Sequence, residues 1–388
     1  MNAVLQRPPL WRRALGVFSG FDALLVLAIL LLCAIGLVAM YSAGYDHGTR
    51  FVDHARNMLI AALVLFTVAQ LPPQQLMRIA VPLYVVGVAL LIATAIFGIT
   101  KKGATRWLNL GVTVIQPSEM LKIAVPLMLA WWFQRREGQS DARRGADFAV
   151  GFALLAVPVA LIVKQPDLGT AILVLSAGLY VMFLAGLSWK LIVPAAAVAV
   201  VGIGLIVGFG ETICQPDVKW VLLREYQKHR VCTLLDPTAD PLGKGFHIIQ
   251  GMIAIGSGGL SGKGFMNGTQ THLEFIPERT TDFIFAAFSE EFGLFGVLVL
   301  VAAFVFLIAR GLVIAAEAPM LFSRLIAGAI TLGFFTYAMV NMGMVAGILP
   351  VVGVPLPFVS YGGTAMVTLG LGLGILMSVA KSRRPPGA

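Results

Sequence analysis

Six carboxylates crowd one region of a chain that is only 12% charged. Glu274, Glu278, Asp282, Glu290 and Glu291 fall between Thr271 and Gly296, with Asp240 a short reach back. A positioned carboxylate can act as general base toward a hydroxyl. The first half of the stretch reads as loop, punctuated by Pro277, with Thr280 and Thr281 placed to cap a helix. The second half runs into a long apolar helix whose first turn would hold Asp282, where the helix dipole favours an acid. Asp282, Ala286 and Glu290 recur on one helical face, with Glu290 about 12 Å deeper. Depth favours ion pairs for Glu290 and Glu291, with Lys122 or another buried cation. Asp282, at the rim, is the candidate base; its alternative role is that of a first-turn helix acid.

Three further polar clusters can be placed beside it. Lys101, Lys102 and Arg106 put three cations into the loop 101–111, with Trp107 suited to a membrane interface. Such cations suit a diphosphate or an anionic headgroup. Glu119 and Lys122 lie one turn apart on a helix inside an apolar span. A lone charge there costs about 2.5–3.5 kcal/mol, so pairing or a wet cavity is expected. Lys164 and Asp167 form an oppositely charged couple at a helix end, where Asp167 could cap the next helix.

Other chemistries find no support. The five histidines are scattered, with no metal-ligand spacing. No Ser-His-Asp arrangement is defensible, so the nucleophile is expected to belong to the substrate. The run GMIAIGSGGLSGKGF (251–265) allows two readings, a phosphate-cradling nest of N–H groups or a loop of tight turns. It does not match a P-loop. Cys214 and Cys232 both lie in the segment 211–281, where they could pair, and two separate thiols is the plainer expectation.

The elements that must position these groups are membrane spans. A hydrophobic fraction of 58% excludes an ordinary soluble domain. Ten apolar spans are expected, at about 22–42, 56–71, 78–98, 117–134, 147–164, 168–186, 189–210, 282–310, 322–348 and 359–380. The reading is an all-α polytopic membrane protein with a single integral-membrane domain over 1–388. The first span reads as a span and not as a cleaved signal peptide. Arg7, Arg12, Arg13, the connector 134–145 and the final KSRR place both termini in the cytoplasm. The segment 211–281 then becomes one large extracytoplasmic loop between spans seven and eight. The net charge of +9 is explained by loops beside spans and anionic headgroups, so no nucleic-acid partner is expected.

Across nearly the whole chain these segments resemble the SEDS family of polytopic peptidoglycan glycosyltransferases, in its rod-elongation branch. The resemblance rests on KGATRWLNLG (102–111), IQPSEMLK (115–122), KQPDLGT (164–170), YQKHRVCTLLDPTADPLGKGFHIIQ (226–250), IAIGSGGLSGKG (253–264), GTQTHLEFIPERTTDFIFAAFSEEFG (268–293) and ILPVVGVPLPFVSYGG (348–363). Residues 211–223, including Cys214, depart from it. The resemblance implies a polymerase of lipid II at the outer face of the bacterial cytoplasmic membrane. The family's essential acid falls on Asp282, its buried charged pair on Glu119 and Lys122, and an outer-loop cation on Arg106. Its partners are the growing glycan strand, a class B penicillin-binding protein and other rod-elongation proteins. No cofactor is certain, though a diphosphate can recruit Mg²⁺ or Mn²⁺. Lys102, Lys164 and Asp167 complete the expected substrate contacts. A flippase for the lipid-linked precursor is the main rival, and a non-catalytic scaffold would leave Asp282 without a task.

Overall fold

The computed structural model describes residues 20–383, apart from 47, 102–103, 110–113, 139–140, 216–217, 219, 221–224, 242, 274 and 277. Ten long helices carry the described chain: α1 (Ala23–Ala43), α2 (Arg50–Val68), α3 (Pro73–Phe97), α4 (Pro117–Arg135), α5 (Asp141–Lys164), α6 (Leu168–Leu184), α7 (Trp189–Gly208), α12 (Ile284–Ala316), α13 (Leu321–Val345) and α14 (Gly363–Ser382). Eight are long and apolar enough to cross a membrane. The other two are α6, of 17 residues, and α4, which carries Glu119, Lys122 and Arg135. The protein is thus a multi-pass α-helical membrane protein.

Each of the ten expected spans falls on one of these helices. The second begins ahead of expectation, at Arg50, because Arg50, Asp53 and His54 read as loop residues. In the fold they turn inward. His54 is buried against the carbonyl of Phe358 at 3.3 Å, and the Arg50 guanidinium lies 4.5 Å from the Tyr361 ring centre.

At the centre stands α13, packed on α12, α6 and α4, while α14 lies against α2. By contrast α7 has no buried residue. At one end of the bundle Asp22 caps α1 through Leu25 N–H (2.9 Å) and takes Arg310 Nε at 2.8 Å and Arg383 Nη2 at 3.3 Å. One carboxylate therefore ties the first, eighth and tenth helices together.

The segment read as a plain loop over 101–111 is instead mostly strand. β1 (Ile99–Lys101), β2 (Ala104–Asn109) and β3 (Val114–Ile115) form a small antiparallel sheet in that order. Thr100 and Thr105 face each other with their hydroxyls 2.8 Å apart. Thr, Trp and Leu suit a half-buried pleat better than their loop-like neighbours suggested.

Between α7 and α12 lie four helices and a 3-10 turn (Pro237–Ala239): α8 (Gly210–Ile213), α9 (Glu225–Leu235), α10 (Lys244–Gly258) and α11 (Thr269–His272). The glycine-rich run divides at Gly258, helix before it and tight turns after it. Its amides form no phosphate nest. Lys263 and Gly264 donate their N–H groups to the carbonyls of Glu290 and Glu291 at 3.0 Å each. Leu294 and Phe295 donate back to Gly259 and Leu260. These bonds satisfy α12 where Gly293, at φ 61°, breaks its helical path. A Cβ on Gly262 would sit 2.0 Å from the Glu291 carbonyl oxygen, so the two glycines allow the close approach.

Cys214 and Cys232 are joined in a disulfide, which corrects the expectation of two separate thiols. The described residues around the bridge bond back toward α8. Trp220 Nε1 donates to Ile213 O (2.8 Å), and Lys228 Nζ donates to Gln215 O (2.8 Å) and Val218 O (2.6 Å). That return brings α8 and α9 together, a contact no spacing rule reveals. The bridge spans 18 residues, and closing such a loop is worth about 3 kcal/mol. Cys214→Ser combined with Cys232→Ser should speed amide exchange across Glu225–Leu235 well beyond that of α13. Unchanged exchange would show that the bridge constrains nothing.

Candidate active site

Asp282 does not lie in the first helical turn. α12 opens at Ile284 without a side-chain cap, so neither Thr280 nor Thr281 is its N-cap. The preceding residues close a turn of their own: Thr281 and Phe283 N–H both donate to Glu278 O at 3.1 Å, and Thr281 Oγ1 donates to Glu278 Oε2 at 2.8 Å. Thr281 is thereby spent on Glu278. Asp282 rides on this turn, half-buried.

Opposite it runs the irregular segment 346–362. Gly353, whose φ of 74° favours glycine, places the position of a Cβ in van der Waals contact with Asp282 Oδ2 at 3.4 Å. Asn341 on α13 holds the two strands of backbone together. Its Nδ2 donates to Asp282 O (3.0 Å) and to Val354 O (2.7 Å). The same segment packs on the start of α6, where a Cβ on Gly169 would lie 2.6 Å from Val352 O.

Asp167 begins that helix and is its N-cap, accepting Thr170 N–H at 3.2 Å, as expected from its position. The expected couple with Lys164 is not what organises it. Lys164 ends α5 with an exposed side chain. Asp167 accepts Gln116 Nε2 at 2.9 Å and lies 3.7 Å from Arg106 Nη1. Arg106 also donates from Nη2 to Pro166 O. Its Nε is buried without a hydrogen-bond partner. Lys102 lies outside the described residues.

Glu119 and Lys122 pair as expected, Nζ to Oε1 at 2.6 Å, with side chains 14% and 6% exposed. Thr368 on α14 approaches Glu119 Oε2 at 3.4 Å, and Lys122 Nζ lies 5.4 Å from the Tyr337 ring centre. Glu119 also lines a cavity of about 620 Å³ between α2, α3, α4 and α14. Its walls include Leu83, Leu90, Ile123 and Leu371, and its polar groups include Asn57, Gln116 and Thr368. Gln116 therefore connects an apolar groove to the Asp167–Arg106 cluster.

Lys122 is not the partner of the deeper acids, because Glu119 already holds it. Glu290 pairs with Lys263 at 2.7 Å and accepts Gln270 N–H (2.9 Å), Thr271 N–H (3.2 Å) and Thr271 Oγ1 (3.1 Å). Glu291 is bonded by Ser42 Oγ and has His272 Nδ1 at 4.0 Å. Glu290 pins the turn after α10 onto α12, while Glu291 ties α12 to α1 and to α11. Glu274 lies outside the described residues. The sequence reading missed Arg230 on α9, which donates from Nη1 to Val351 O at 2.5 Å. Its only signal was a position inside one family-like segment.

The model of the cell cycle protein family comprising FtsW, RodA and SpoVE matches residues 22–385. The chain belongs to this family, the SEDS proteins. It is 47% identical to the peptidoglycan glycosyltransferase MrdB of Escherichia coli (strain K12), with 93% of each chain covered. It is 30% identical to the peptidoglycan glycosyltransferase RodA of Treponema pallidum, over 93% of this chain and 98% of that one. Among solved structures, a peptidoglycan synthase complex described as coordinating polymerization and crosslinking matches at TM-score 0.76 and 32% identity. The match covers 94% of this chain and 98% of that chain. RodA of Thermus thermophilus matches at TM-score 0.68 and 27% identity, over 95% and 99%. These solved relatives share the helical framework of this chain.

The Glu119–Lys122 pair has a direct stability consequence. Breaking a buried pair from one side costs about 3–5 kcal/mol, because the other charge is stranded. Glu119→Gln should lower the unfolding temperature in detergent markedly, and adding Lys122→Met should recover much of the loss. A double variant less stable than the single one would contradict this.

Proposed function

We propose that the chain polymerises lipid II, joining its disaccharide units into β-1,4 glycan strands and releasing undecaprenyl diphosphate. One juxtaposition carries the reading. An apolar groove ends at Gln116, whose amide is bonded to Asp167, which faces Arg106; the segment that packs on α6 beside Asp167 also borders Asp282. A substrate that is half lipid and half polar fits that sequence of surfaces. The tail lies in the groove, the diphosphate reaches the cations, and the sugars meet the carboxylate.

The chemistry follows from stereochemistry. An α-linked diphosphate that becomes a β-1,4 bond undergoes inversion, hence one displacement with one base. Asp282 takes the proton of the acceptor 4-hydroxyl as its oxygen bonds the anomeric carbon, and the diphosphate leaves with the bonding pair. Arg106, whose side chain is partly exposed, stabilises the charge that builds on the leaving group, with Lys102 in support. Glu119 and Lys122 present a paired, locally neutral wall to the groove, and Asp167 orients Arg106. Lys164 is assigned to the rim. Among the described residues no group of three or more His, Cys, Asp or Glu could hold a metal ion. A Mg²⁺ or Mn²⁺ would therefore come with the diphosphate, and no step is routed through one.

The site is assigned to the periplasmic side of the bacterial cytoplasmic membrane, with both termini in the cytoplasm, in keeping with the basic terminal segments. A class B penicillin-binding protein and other elongation proteins are its proposed partners. The neighbour described as coordinating polymerization with crosslinking supports the first of these.

Purified protein supplied with lipid II should form polymer. Asp282→Asn and Asp282→Ala, each shown to unfold like the parent, should lose about 10²–10⁴ in rate. Polymer formed by Asp282→Ala at the parent rate would sink the base assignment. Movement of lipid II between leaflets of a reconstituted vesicle, with no polymer from the parent, would restore the flippase reading.

A further inference from the structure

Arg230 stands apart from the other charges of the large loop because of what lies around it. It sits on α9, half-buried, and its Nη1 donates to Val351 O. Val351 is two residues from Gly353, which borders Asp282 Oδ2, and its neighbour Val352 rests on the start of α6 beside Asp167. The guanidinium is therefore bonded to a segment that borders Asp282 and packs on the start of the helix capped by Asp167. Burial, and after it the nearby Arg106, pulls Arg230 below its usual range, while Tyr226, Asp167 and Asp282 act to hold it charged. Arginine remains protonated under such conditions.

Two features make this more than a strut for the segment. A guanidinium carries five donors in a planar fork, and the bond to Val351 engages one nitrogen. A carbonyl needs no cation, so a neutral donor would do for that bond. In addition, Arg106 and Arg230 are close enough to repel, and they reach the site from separate elements: Arg106 from β2, Arg230 from the loop helix. Two like charges near one another favour an anion between them, and a planar fork suits phosphate oxygens.

We infer that Arg230 is a second substrate-binding arginine, which with Arg106 clasps a polyprenyl diphosphate from the loop side of the cleft. The inference rests on the glycosyl-transfer reading for the identity of the lipid, and it adds a residue and an element to that site. It also gives the Cys214–Cys232 bridge a role. Cys232 lies two residues beyond Arg230 on α9, so the bridge holds the helix that delivers the guanidinium.

The test is binding of a short polyprenyl diphosphate to the purified full chain in detergent, beside the corresponding polyprenyl alcohol. The parent should bind the diphosphate more tightly than the alcohol. Arg230→Ala and Arg230→Gln should each weaken the diphosphate by about ten- to a hundredfold, the worth of one charge-assisted contact. Both should leave the alcohol unchanged, and Arg230→Lys should retain part of the preference. Gln keeps a donor for Val351 without the charge, so Gln binding the diphosphate like the parent would overturn the proposal. Equal weakening of diphosphate and alcohol would also overturn it, since that marks a displaced segment. A parent that does not distinguish the two ligands would do the same. A parent that prefers the diphosphate but forms no polymer from lipid II would instead refute glycosyl transfer and leave the anion site standing.

Discussion

Backbone that is not helical cannot lie inside a bundle of membrane helices unless its N–H and C=O groups find partners in the protein. The segment between α13 and α14 meets that demand one group at a time. Val351 O accepts Arg230, Val354 O accepts Asn341, and Phe358 O accepts His54. Leu356 N–H donates to Ser360 Oγ at 2.8 Å, and Tyr361 N–H donates to Thr280 O at 2.8 Å. Its partners come from α2, α9, α13 and the turn before α12. Asp282 borders this segment, Arg230 is bonded to it, and the helix that Asp167 caps packs against it.

The same demand shapes the support behind Asp282. Gly293 interrupts α12, and the freed backbone groups are taken up by the turn after α10. Glu290 fastens that turn through Lys263, Gln270 and Thr271. The two acids that depth marked for ion pairing are therefore anchors of the scaffold, Glu290 with Lys263 rather than Lys122. Asp282 borders Gly353, Asp167 lies beside Arg106, and Arg230 is bonded to Val351.

The groove and the cleft divide the work by polarity. Apolar walls from α2, α3, α4 and α14 can shelter a lipid chain without desolvating any charge except a paired one. Gln116 marks the change, since it lines the groove and bonds Asp167. A lipid-linked sugar can then keep its tail in the hydrocarbon while its head enters a region of fixed charges. The large loop contributes through α9, which is held by the disulfide to α8 and by Arg230 to the segment below.

The sequence by itself determined the class of fold, because runs of about twenty apolar residues admit few alternatives to helices that span a bilayer. It also singled out Asp282, Arg106, Glu119 and Lys122, since charges are conspicuous where so few occur. The local pairing of Glu119 with Lys122 was legible because one helical turn dictates it. Only the tertiary structure decided the long-range pairings: Glu290 with Lys263, Asp167 with Arg106 and Gln116, Cys214 with Cys232, and Arg230 with Val351. None follows from a period or a spacing, because each joins elements whose approach is set by packing. The position of Asp282 just ahead of α12 was decided there too. The N–H groups that could have begun the helix earlier close a turn on Glu278 instead.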